Sequence, residues 1–163
     1  MYSRLIVRGY CDDARSAFIK GKYATAAKLY SSGINLILDL PPPISDKRAR
    51  NRKRYITAML FERSEVLCRL GRFREALDDC ERVIEAEDGS LSVESSIRSA
   101  RMYSLKGRLY LRMEWSPSEA GKAYSTAVRI CLRIVDETAN WSVPLEDHDG
   151  VAIDSDPGSG ALC

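Results

Sequence analysis

The chain has 163 residues, enough for one domain with a real core, and its 45% apolar and 29% charged residues are a globular balance. No apolar run approaches the roughly 20 residues needed to span a bilayer, and the start, MYSRLIVRGYCDD, is too short in apolar residues for a signal peptide. With one histidine and five cysteines, none of them in a Cys-x-x-Cys pair, the usual zinc spacings are missing, so no metal and no cofactor is expected.

The formal net charge is +2, but it is unevenly spread. All 25 basic residues lie at or before Arg133, with 16 acids among them, and seven acids follow, so the first 133 residues carry +9 and the rest −7. An intracellular, cytoplasmic protein is expected, with the nucleus as the alternative. Cys11, Cys68, Cys80 and Cys131 read as small buried hydrophobes and Cys163 as a tail thiol.

In chain order, an amphipathic segment covers 3–20, a Gly21-Lys22 turn follows, and YATAAKLYSSGINLIL carries an apolar stripe at Ala26, Ala27, Tyr30, Ile34, Ile37 and Leu38. The joint DLPPPISDKRARNRKR, 39–54, ends in a basic run formed by Lys47, Arg48, Arg50, Arg52, Lys53 and Arg54. A second pair of helices is predicted at 52–70 and 73–86, joined at Gly71-Arg72, with a stripe of Phe73, Ala76, Leu77, Cys80, Val83 and Ile84. After EDGSLSVESS, 87–96, a third pair begins near 93 and turns at 114–117. Its second stripe is Ala120, Ala123, Tyr124, Ala127, Val128 and Cys131. Gly21 and Gly71 suit left-handed helix caps, and Pro117 behind Ser116 suits a first helical turn. Beyond about 140, NWSVPLEDHDGVAIDSDPGSGALC has no period and reads as an acidic, disordered tail, 141–163, from which Trp141 is placed to dock on the last helix pair.

One helix pair cannot bury its own stripe, so the repetition predicts stacking of three. The pattern of Ala14, Phe18, Tyr23, Ala26, Tyr30 and Gly33 resembles the tetratricopeptide repeat. So do Ser64, Leu67, Gly71, Phe73, Ala76 and Cys80, and in a third unit Gly107, Tyr110, Ala120, Tyr124 and Ala127. The resemblance covers about residues 8–133. It departs from the family in spacing, since Ala26, Ala76 and Ala120 lie 50 and 44 residues apart instead of about 34. The expectation is an all-α domain, 1–140, of three stacked tetratricopeptide-like helix pairs in a short right-handed superhelix.

The resemblance implies a non-catalytic interaction module, a scaffold or co-chaperone-like adaptor, whose first helices line a groove for a peptide or helix of another protein. On this sequence the lining becomes Arg15, Phe18, Phe61, Glu62, Glu65, Arg69, Arg101, Arg108 and Arg112, with Cys11, Ala58, Ser104 and Leu105 among them. In one subfamily two lysines, two asparagines and an arginine clamp the C-terminal carboxylate of chaperone tails. Here Cys11, Arg15, Glu62, Arg101 and Leu105 stand at those positions, and Glu62 would repel that carboxylate, so this clamp is not expected. The five arginines have two readings: contacts for an acidic or amphipathic peptide, or solvation and pairing with Glu62 and Glu65.

The basic run 47–54 has two readings of its own, a contact for nucleic acid or an anionic surface and a solvated helix start. No aromatic residue interleaves it before Tyr55, which argues against base stacking. Self-association through the open end of the third pair, and tail carboxylates competing for the basic body, are further expectations. The chain as interaction region of a larger enzyme or assembly is another. His148 stands alone in the tail, so no catalytic arrangement can be assembled, and no enzyme is expected. Asp78-Asp79 and Glu85 to Asp88 read as solvated acids.

Overall fold

The computed structural model describes residues 2–90 and 92–139, and within them every regular element is an α-helix. The elements are α1 (Tyr2–Ile19), α2 (Tyr23–Leu38), α3 (Asp46–Arg69), α4 (Phe73–Glu87), α5 (Val93–Arg112) and α6 (Pro117–Ala139). Helices α1 and α2, α3 and α4, and α5 and α6 pack as pairs, while α2 against α3 and α4 against α5 stack the pairs on one another.

The three turns within pairs close in the same way. Lys22 N donates to Ala17 O at 2.9 Å, Arg72 N to Leu67 O at 3.0 Å and Trp115 N to Tyr110 O at 3.1 Å. Each bond satisfies a carbonyl that the helix end leaves open. The left-handed position is held by Gly21 (φ 71°), Gly71 (φ 75°) and, in the third turn, Glu114 (φ 54°). Ser116 then accepts from Glu119 N at 3.3 Å and caps α6, with Pro117 in its first turn.

Small residues let each pair close. Ala14, Ala26 and Ala76 are 0% exposed and Ala120 is 2% exposed. Around them Tyr30, Met59, Met102, Leu105, Leu109 and Val83 are fully or almost fully buried, each large apolar side chain contributing about 1.5–3 kcal/mol of transfer free energy.

Four sequence expectations change here. Helix α3 begins at Asp46 rather than at the expected 52, because Ser45 accepts from Arg48 N at 3.4 Å and Asp46 begins the first turn ahead of good helix formers. Of the cysteines among the described residues only Cys80 is buried; Cys11 and Cys68 are intermediate and Cys131 is exposed. Val128 is 57% exposed, and Leu132 and Val135 are 60% exposed each, because among the described residues α5 is the one helix that packs extensively against α6. Asp79 is not a solvated acid: it is 2% exposed and receives two hydrogen bonds from Arg63, both at 2.7 Å. The expectations for the tail, Trp141, His148 and Cys163 lie outside the described residues.

Glu87 is likewise engaged. Arg98 Nε donates to it at 2.7 Å, the Ser95 hydroxyl also donates to it, and its side chain is 10% exposed. Burial works against its ionisation, yet Arg98, Ser95 and nearby Lys53 outweigh that and hold the carboxyl below its ordinary value. An acid held below its unfolded pKa adds stability at pH above the unfolded value, and this is lost as pH falls through the lower folded value. Thermal melts of the full chain are therefore expected to fall less steeply below about pH 4.5 in Glu87→Gln than in the wild type. Parallel acid limbs would show that Glu87 is not part of this dependence.

Candidate functional site

The first helices of the three pairs meet along one face. Arg15 of α1 donates to Glu62 of α3 at 3.1 Å. Arg101 of α5 lies over the Phe61 ring of α3 at 4.6 Å. Arg108 Nη2 stands 3.5 Å from Glu65 Oε2. Below them Ser64 Oγ approaches Met102 Sδ at 3.6 Å, so α3 and α5 touch directly.

These contacts divide the predicted lining into two classes. Arg15 and Arg108 are engaged by the two glutamates, as the bland reading of those arginines expects. Arg69, Arg101 and Arg112 are exposed and, among the described residues, have no acid within ion-pair distance. Arg101 is oriented by the Phe61 ring, a cation–π contact of about 0.5–1 kcal/mol at an exposed site. Arg69 and Arg112 stand in the last turns of α3 and α5.

The thiol of Cys68 reports where these cations sit. Burial raises its pKa, while Arg108, Arg112 and Arg69 all act in the opposite sense. Arg69 and Arg112 stand at the same end of α3 and α5 as Cys68, and Leu111, 52% exposed, is on the same helix as Arg108 and Arg112. At the other pair, Tyr30 is 1% exposed and its hydroxyl lies beside Glu62 and Arg15. Burial, with Glu62, drives the Tyr30 pKa far up, so the phenol stays neutral. Cys11 shares this environment, and its pKa too is raised by burial against the pull of Arg15.

Not every predicted lining residue reaches the face. Leu105 is 0% exposed and belongs to the core. Phe18 packs at the first turn, its ring 5.5 Å from that of Tyr23. Phe61 is 8% exposed and its ring is covered by Arg101 rather than open, whereas Ala58 is exposed one turn before it.

The basic run splits by helical position. Arg52 is a strut: its guanidinium donates to Leu38 O at 2.7 Å and Pro41 O at 3.2 Å, tying the end of α2 to α3. Lys53 lies on the side facing α4, where it acts on Glu87. Arg48 borders a cavity of about 430 Å³. Lys47, Arg50 and Arg54 are exposed. Sequence reasoning missed Arg63 and Asp79 as partners, since Arg63 alone carries no pattern.

Among the described residues no helix is long and apolar enough to cross a membrane, and no three His, Cys, Asp or Glu side chains are grouped to hold a metal ion. No protein-family model matches this chain, and no curated protein matches it either.

Proposed function

We propose that the chain is a non-catalytic interaction module that holds an acidic or amphipathic peptide of a partner protein on the face of α1, α3 and α5. One observation carries this reading. Arg15 and Arg108 are neutralised in place, yet Arg69, Arg101 and Arg112 on the same face are left without acids. Guanidinium groups left without acids, with exposed Ala58 and Leu111 on the same helices, match carboxylates interleaved with apolar side chains. The tetratricopeptide resemblance points to the same face, and an adaptor or scaffold role of the co-chaperone kind follows from it. The carboxylate clamp of that family is not part of the proposal, because Leu105 is buried and Arg15 is engaged by Glu62.

The test is a binding titration of the full chain with an acidic, leucine-containing peptide at low and moderate salt. Arg69→Glu, Arg101→Glu and Arg112→Glu combined are expected to weaken binding about tenfold or more, since each reversal adds repulsion at the contact. Equal affinity for wild type and triple variant, with both folded by circular dichroism, would remove the face from the binding site.

A further inference from the structure

The basic run and the predicted groove are one surface. From Lys47 the positions 50, 54, 58, 61, 65 and 69 follow at steps of three and four, so they share one side of α3. Phe61 and Glu65 of this row are the residues that meet α5 on the candidate face. Lys47, Arg50 and Arg54 therefore extend that face toward the N-terminus of α3, and the row runs about 33 Å along the helix.

Helix α3 is long for this purpose. It has 24 residues against 18 in α1 and 20 in α5. Arg101 beside Phe61 sets the register, so the start of α5 is level with about residue 53 and the first two turns of α3 overhang it by about 10 Å. Cations there gain nothing from the helix. The macrodipole disfavours positive charge in the first turn, where Lys47 stands, by about 0.3–1 kcal/mol, and Asp46 is the sole acid in that turn. Among the described residues no acid pairs with Lys47, Arg50 or Arg54. Arg69 and Arg112, by contrast, sit where the dipole favours them.

Beside the same two turns is the cavity of about 430 Å³, walled by Val7, Ile37, Leu40, Pro41, Ile44 and Tyr55, with Arg48 and Asn51 also lining it. This is the size range of small-ligand clefts and holds a bulky side chain. Ile44 on its wall is 89% exposed, an apolar side chain left in solvent.

We propose that these turns and this cavity form the second half of the binding face, taking an acidic peptide of a partner protein by one apolar anchor side chain in the cavity and carboxylates on Lys47, Arg50 and Arg54. The proposal rests on the groove reading above and extends its ligand. A peptide satisfies both parts, because it carries apolar and anionic groups on one flexible chain. Nucleic acid matches less well, because no aromatic side chain interleaves the cations to stack its bases. A lipid headgroup requires no continuity with Phe61 and Arg101, which is what the row supplies.

The probe is a labelled peptide of alternating glutamate and leucine with one terminal tryptophan, about 10 residues long to match the row when extended. It is titrated into the full chain by fluorescence anisotropy, beside a single-stranded DNA oligonucleotide and phosphatidylserine vesicles. Lys47→Glu, Arg50→Glu and Arg54→Glu combined are expected to weaken the peptide about tenfold without lowering the melting temperature, because among the described residues none of the three pairs with an acid and an acid at 47 suits the helix start. Ile44→Asp is expected to weaken the tryptophan peptide but not its tryptophan-to-serine version. If the Arg69, Arg101 and Arg112 variant loses the peptide while both of these variants keep it, the extension is wrong and the groove reading stands. If no variant changes affinity, or the peptide does not bind, both fall. Binding of DNA or vesicles that depends on the row, without peptide binding, overturns the proposal in favour of a phosphate ligand.

Discussion

Asp79→Ala is expected to destabilise the fold by about 3–5 kcal/mol, because it leaves a desolvated guanidinium without its counter-charge. Arg63 binds both Asp79 oxygens at 2.7 Å and Ser31 Oγ at 2.9 Å, so one side chain of α3 ties α2 and α4 together. The side chains of Arg63 and Asp79 are 18% and 3% exposed. Burial raises the Asp79 pKa and the two hydrogen bonds from Arg63 oppose that rise, so the pair holds its charge only as a unit. An apolar replacement of both partners, Arg63→Met with Asp79→Leu, removes the unpaired charge and is expected to recover most of the loss. Urea denaturation of the two single variants and the double variant measures this. A double variant as unstable as Asp79→Ala would show that the loss comes from somewhere other than the stranded charge.

Glycine to alanine is expected to change sign between two helical positions. A Cβ on Gly107 of α5 would lie 2.8–2.9 Å from three ring atoms of Tyr124 of α6. Either the Tyr124 ring must swing aside or the helices must part, at about 1–3 kcal/mol. At Gly121 of α6 nothing lies within 4 Å of such a Cβ, and alanine there is expected to stabilise by about 0.5–1 kcal/mol through helix propensity alone. Thermal melts of the two variants decide it. A stable Gly107→Ala protein would mean that the Tyr124 ring is not held against Gly107.

The close approach at Gly107 was legible as a small residue at a repeated position, and so were the three helix pairs, because a stripe at steps of three and four needs a partner surface. Gly21 and Gly71 marked their turns for a backbone reason. The third turn reaches the same geometry with Glu114, whose side chain gives no such signal. The start of α3 was harder to read. The proline triplet at 41–43 suggests a long loop, while the decisive cap is one serine hydroxyl at Ser45. Burial of Asp79 depends on Arg63 being aimed at it from another helix, and Arg15 meets Glu62 from 47 residues away. Such pairings follow from how pairs stack, which local periodicity does not specify. For the same reason Val128 and Cys131 belong to a helical stripe in sequence but stay exposed in space.

The division between engaged and free arginines also came only from the three-dimensional arrangement. Five arginines looked equivalent along the chain, and cross-helix contacts then took up Arg15 and Arg108. What remains is a row of cations on α3 and α5 with exposed Ala58 and Leu111 on the same helices, a pattern suited to an acidic chain rather than a flat, uniformly charged partner.

The most direct measurement is amide chemical-shift mapping of the full chain while the acidic leucine peptide is added. Shifts are expected at Phe61, Arg69, Arg101 and Arg112, spreading to Lys47, Arg50 and Arg54, with α4 and the exposed stripe of α6 unchanged. Shifts centred instead on Val128, Leu132 and Val135 would contradict a binding face on α1, α3 and α5 and place recognition at the open end of the stack.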